Sequence, residues 1–175
     1  MNCKIVVYTD GSAKGNGKKD AIGGIGVFFP LGEYNNISDE TIHALSKSKL
    51  FYTKVTNNLS ELTAILKALV TVKEYLDKDV KNKVIVKTDS NYAINCVTKW
   101  YINWEKNNWM TASKKPVSNE LLLKEIVNKF IKIYPSQILF VHVRSHTKMP
   151  SETSNEFADW YGNFQADFLA TNFDK

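Results

Sequence analysis

Three acids occupy positions from which chemistry is easily built. Asp10 closes the apolar run Lys4 to Asp10 and precedes Gly11-Ser12. Asp89 follows a second run, Lys83 to Thr88, and precedes Ser90-Asn91. Glu61 falls in the first turn of an expected helix. Each alone reads as ordinary local structure: Asp10 as a turn residue, Asp89 as a helix cap, Glu61 as the end of a capping box begun at Asn58. Jointly they read otherwise. Strand ends and helix starts meet at one edge of an α/β sheet, where ligand sites form. Carboxylates gathered there repel one another unless cations compensate. An all-oxygen set without histidine or cysteine suits Mg²⁺, with Mn²⁺ as the alternative. Two such ions can clamp the attacking and leaving oxygens of a phosphodiester.

The elements that must carry these acids are legible as hydrophobic patterns. Lys4 to Asp10 reads as a first strand ending at Gly11, and Ile22 to Phe29 as a second. Thr41 to Thr53 is expected as a third strand, completing an antiparallel meander. Leu59, Leu62, Ile65, Leu66, Leu69, Val72 and Leu76 repeat at helical spacing, with Asn57 and Asn58 as capping candidates. Lys83 to Thr88 and Gln137 to Val143 read as the fourth and fifth strands. Helical patterns cover Ser90 to Trp109 and Ser118 to Ile133, on either side of Pro116. A polar loop from Ser145 to Ser154 leads to a closing helix from about Asn163. The order βββ-α-β-α-α-β-α implies an α/β fold. Its five-stranded mixed sheet joins an antiparallel meander to two parallel strands, with helices on both faces.

Composition narrows the function. The 175 residues suit one domain with a real core, and 43% apolar content argues against disorder. No run is long enough to span a bilayer, and the start has no cleavable apolar core, so no secretory signal and an intracellular, cytoplasmic location are expected. Cys3 and Cys96 form no CxxC pair, which fits a reducing compartment. The net charge is +5, from 23 bases against 18 acids, and Arg144 is the sole arginine. This mild basic bias points to a polyanionic partner. Lysines grip phosphates as point charges, whereas guanine edges are usually read by arginine. The glycines between Gly11 and Gly17 fit neither GxxxxGK[ST] nor GxGxxG, so nucleotide-loop readings fail on spacing. His142 and His146 could begin a zinc site, but no third ligand is suitably spaced.

Six segments, in order, resemble type 1 ribonuclease H, which cuts the RNA strand of RNA–DNA hybrids. They are Tyr8 to Asn16 (YTDGSAKGN), Thr56 to Glu61 (TNNLSE), Thr88 to Asn91 (TDSN), Trp100 to Asn119, Val141 to His146, and Gly162 to Ala170 (GNFQADFLA). The match covers nearly the whole chain. The resemblance implies that Asp10, Glu61, Asp89 and Asp167 hold two Mg²⁺ ions. It also implies products with 5′-phosphate and 3′-hydroxyl ends. Asn163 as a helix cap would put Asp167 in the first turns of the closing helix, where the dipole favours an ionised carboxylate. Asp159, in a second Asn-Glu-x-Ala-Asp pattern, competes for the fourth place; the fuller motif favours Asp167.

The same resemblance assigns His146 to proton transfer or product release, which an ordinary imidazole pKa of about 6.5 suits. The loop that carries it is longer than the family's usual one. The segment from about 99 to 119 resembles the basic handle, with Trp100, Tyr101, Trp104 and Trp109 interleaved among lysines. Thr56, Trp100, Trp104, Thr111 and Asn119 are candidate DNA-strand contacts, with Lys114 and Lys115 supplying charge. Asn16, Asn57 and Asn91 are candidates for the RNA 2′-OH or base edges. The expected whole is a single catalytic domain over 1–175, monomeric, with no membrane partner and no separate hybrid-binding domain. Two other classes compete. A catalytically silent nucleic-acid-binding module should have lost a carboxylate, and an integrase- or transposase-like relative should lack the handle.

Overall fold

The computed structural model of the chain describes residues 4–145 and 147–174. Five strands form one sheet: β1 (Lys4–Lys14), β2 (Ile22–Phe28), β3 (Ile37–Glu40), β4 (Lys83–Thr88) and β5 (Ile138–His142). Their spatial order is β3-β2-β1-β4-β5. The first three pair antiparallel, and β4 lies parallel to both β1 and β5. This is the mixed sheet that the pattern implies.

The helices are α1 (Thr41–Lys47), α2 (Asn57–Thr71), α3 (Lys73–Lys78), α4 (Asn91–Asn95), α5 (Tyr101–Lys106), α6 (Glu120–Ile126) and α7 (Phe157–Thr171). A π-helical stretch, Cys96–Trp100, joins α4 to α5, and another, Val127–Ile131, extends α6. Strand alternation assigns the two faces. Ile5, Val7 and Val27 point into the main core with Leu59, Leu62, Ile65, Leu66 and Leu69 of α2. Tyr8 and Phe28 point the other way, against Ala166 of α7.

Four local expectations are corrected. The third strand lies at Ile37–Glu40, and the segment expected to be that strand begins instead as α1. Its buried residues Thr41, Ala44 and Leu45 are spaced for a helix, not for alternation. The first long helix breaks at Val72 into α2 and α3. β1 runs past Gly11 to Lys14, because antiparallel pairing with β2 continues after parallel pairing with β4 stops at Tyr8. Finally, α7 starts six residues before Asn163, and its N-cap is Glu156. Aromatic side chains make those extra turns worth forming. Phe157 stacks on Tyr161 at 6.0 Å, Trp160 stacks on Phe164 at 5.5 Å, and Tyr161 meets Phe28 edge-on.

Two glycines let helices approach the sheet closely enough to place side chains at its end. A Cβ on Gly11 would lie 2.2 Å from the Glu61 backbone nitrogen, so α2 rests directly on β1 there. A Cβ on Gly26 would lie 1.9 Å from the Ala166 carbonyl oxygen, so α7 rests on β2. Gly26 is the register partner of Asp10, and Ala166 precedes Asp167. The two contacts thus draw Glu61 and Asp167 towards Asp10 from opposite faces.

Candidate active site

The three acids do not serve the local roles that their sequence positions allow. Asp10 lies within β1 and not in a turn. The cap of α4 is Ser90, whose hydroxyl accepts from the Ala93 N–H, so Asp89 is spared that duty. The cap of α2 is Thr56, not Asn57 or Asn58; its hydroxyl accepts from the Leu59 N–H at 3.1 Å. Glu61 is therefore beyond the reach of a capping box. Replacing Thr56 with Ala is expected to cost about 1 kcal/mol of stability, read by denaturant unfolding.

Freed from those roles, the acids converge where β1 and β4 part. One carboxylate oxygen from each of Asp10, Glu61 and Asp89 lies within 4.8 Å of the others. Asp10 is 6% exposed and Glu61 8%, whereas Asp89 opens towards solvent. The Asp10 carboxylate accepts from the Gly11 N–H at 2.8 Å. The buried Oε2 of Glu61 has no hydrogen-bond partner among the described residues. Burial and the Asp89 charge push the Asp10 pKa up to about 8, and the Asp167 charge adds to this. Burial, then the charges of Asp10 and Asp89, raise Glu61 well above the usual carboxylate range. Repulsion of this kind, with an orphaned buried oxygen, is what a bound cation would relieve. The donor set is all oxygen and fits a hard divalent ion.

Asp167 is not within that tight group. It lines a hollow of about 270 Å³ with Asp89, Arg144, Trp160 and Asn163, on the open side of the cluster. It sits in the last third of α7, about one turn from its end and not in its first turns, and Asn163 is a buried mid-helix residue. Asp159, its competitor, is engaged elsewhere. It accepts from the Tyr8 hydroxyl at 2.8 Å and pairs with Lys87.

A second concavity, of about 680 Å³, gathers Asn16, Thr56, Asn57 and Asn119. Asn16 Oδ1 accepts from the Asn57 N–H at 3.0 Å, so its amide NH₂ is left for a ligand. Tyr52 and Lys54 line the same groove and were not singled out from sequence. A lysine two residues before Thr56 in a chain of basic bias was the available signal. The handle tryptophans form an edge-to-face chain, with Tyr92–Trp100 at 6.0 Å and Trp100–Trp104 at 5.9 Å. Trp100 is 40% exposed, while Trp109 turns into the core. Thr111 spends its hydroxyl within the handle turn on the backbone of Lys115. Lys114 and Lys115 are exposed at that turn, and Asn91 is exposed at the start of α4. None of these handle residues, nor Asn91, lines the groove that holds Asn16. His146 lies outside the described residues. Among the described residues no helix is long and apolar enough to cross a membrane.

Known proteins resemble the chain over nearly its full length. The ribonuclease H of Clostridium botulinum is 32% identical over 164 residues, covering 88% of this chain and 97% of the relative. The solution structure of the RNase H domain of prototype foamy virus superimposes with a TM-score of 0.58 at 27% identity, covering 97% of this chain and 93% of that one. LC9-RNase H1, described as a type 1 RNase H with the type 2 active-site motif, has the same fold, with a TM-score of 0.62 at 22% identity over 96% and 70% of the two chains. The RNase H family model matches residues 2–173. The chain thus belongs to the ribonuclease H family and is a metal-dependent hydrolase of that class.

Proposed function

We propose that the chain hydrolyses the RNA strand of RNA–DNA hybrids at two divalent ions held by Asp10, Glu61, Asp89 and Asp167, leaving 5′-phosphate and 3′-hydroxyl ends. The observation that carries this reading is the convergence of Asp10, Glu61 and Asp89 around the unpartnered Glu61 Oε2. Mg²⁺ bound there supplies charge neutralisation for the phosphodiester and activation of the attacking water, and Mn²⁺ can substitute. Asp10 and Glu61, both buried, form the rigid side of the site. Asp89 and Asp167 form its open side, where the strand enters. Membership of the family and the all-oxygen donor set support this reading.

Strand choice is assigned to the groove and the handle. Asn16, Asn57 and Asn91 meet the RNA strand, where 2′-hydroxyls need donors and acceptors. Thr56 and Asn119 meet the DNA strand across the groove; the Thr56 hydroxyl accepts from Leu59 and so donates outward. Trp100, Trp104 and Thr111 offer a surface to deoxyribose, and Lys114 and Lys115 add charge near its phosphates. The chain acts as a monomeric, intracellular catalytic domain.

A labelled RNA–DNA hybrid, RNA duplex and DNA duplex, each incubated with Mg²⁺ and with a chelator, test the proposal. Only the hybrid with Mg²⁺ should be cut. Cleavage of the DNA duplex, or cleavage of the hybrid in chelator, would sink it. His146→Ala is expected to lower kcat by about 10²-fold, the usual scale for a lost proton-transfer group, with KM little changed. An unchanged kcat in steady-state assays would remove His146 from the mechanism.

A further inference from the structure

Arg144 is the chain's only arginine among 23 basic residues. It lines the hollow that holds Asp89 and Asp167, yet among the described residues it makes no salt bridge. It also borders a second hollow, of about 310 Å³, with Lys148. Two acids line that outer hollow, Glu156 and Asp159, and Asp159 is already paired with Lys87. Hydrogen bonds hold the chain just before Arg144 and again at Thr147. Before it, the Val143 N–H donates to the Thr88 carbonyl at 3.0 Å, and His142 Nε2 donates to the Asp89 carbonyl at 3.1 Å. After it, Trp160 Nε1 donates to the Thr147 carbonyl at 3.1 Å, and the indole is stacked on Phe164. The backbone leading into Arg144 is thus anchored to the strand end that carries Asp89, and its exposed guanidinium has no ion pair among the described residues.

We propose that Arg144 is a substrate-binding residue that grips the RNA-strand phosphate beside the cleaved bond; this rests on the hybrid-cleavage reading above. The two non-bridging oxygens of a phosphodiester match the planar guanidinium fork. A lysine would supply charge without that geometry, which accounts for an arginine here in a chain that otherwise uses lysine. The shared wall of Arg144, Thr147 and Trp160 between the two hollows lets the strand pass from the carboxylates to the outer hollow.

The test is a cycle of protein and substrate changes. Wild type and R144Q are assayed on a hybrid whose RNA strand carries a single charge-neutral methylphosphonate, moved along the positions flanking the cleaved bond. On the unmodified hybrid, R144Q should lose about 10- to 100-fold in kcat/KM, the scale of a charge-assisted hydrogen bond. At one flanking position the neutral linkage should slow wild type by a similar factor and leave R144Q unaffected, a non-additivity that a structural defect would not produce. Equal slowing of both proteins at every position, or wild-type kcat/KM for R144Q, would overturn the proposal. The wild-type scan is informative even without a folded variant: no flanking position sensitive to neutralisation also overturns it. Wild type that fails to cut any hybrid would instead refute the activity on which the inference rests.

Discussion

Asp10→Asn is expected to abolish hybrid cleavage, by at least about 10³-fold, while making the metal-free protein more stable at pH 8. Both effects have one cause. The folded chain holds the Asp10 proton up to a pH of about 8, because burial and the charges of Asp89 and Asp167 oppose ionisation. In the unfolded chain the same group ionises near 3.8. Between those values the native state binds more protons than the unfolded state, so stability falls as pH rises through that window. At about 1.4 kcal/mol per pKa unit the accumulated loss is on the order of a few kcal/mol. Glu61 is shifted in the same direction by burial and by Asp10. Asparagine carries no charge to bury, and its side-chain oxygen can still accept the Gly11 N–H. Added Mg²⁺ should raise the melting temperature of wild type more at pH 8 than at pH 5, and raise that of D10N less. Calorimetry across this pH range, with and without Mg²⁺, is the measurement. A metal-free wild type equally stable at pH 5 and pH 8 would contradict the electrostatic account, and wild-type turnover by D10N would remove Asp10 from the chemistry.

The acids were legible in the sequence because strand ends and helix starts carry strong local signals, and three such signals can be joined by a topology rule. What joins them physically was not legible. The parting of β1 from β4 after Tyr8 depends on β2 continuing to pair with β1, a tertiary fact. The close seating of α2 and α7 depends on what Gly11 and Gly26 face across the fold. The misplacement of β3 has a similar origin. The span Thr41 to Leu45 is short, and its helical spacing emerges only once burial, in part against α2, picks out Thr41, Ala44 and Leu45. The long loop after β5 hid the start of α7 because its helical signal is an aromatic stripe that begins at Phe157, ahead of the matching motif. Arg144 was visible only as a compositional oddity until the hollow beside Asp89 gave it a position.

Asp167 is proposed over Asp159 as the fourth carboxylate, and the choice is testable. Asp167→Asn is expected to lower hybrid cleavage by about 10³-fold, on the scale of several kcal/mol for a metal ligand, with the fold intact. Asp167 is half-buried on the open side of the cluster, and its charge reaches Asp10. Asp159→Asn should do the reverse. Asp159 faces the sheet and not the cluster, accepting from Tyr8 and pairing with Lys87, whose side chain is 19% exposed. Removing its charge leaves a partly buried lysine without its partner; because the Asp159 side chain is itself 41% exposed, the cost is about 1 kcal/mol in stability. It should loosen the first turns of α7, which that pair holds on β1 and β4, and leave most of the turnover in place. Cleavage assays and denaturant unfolding on the two variants separate the outcomes. If Asp159→Asn silences the enzyme while Asp167→Asn leaves it active, the fourth ligand is Asp159, and the Lys87 pair is a resting arrangement of a catalytic carboxylate.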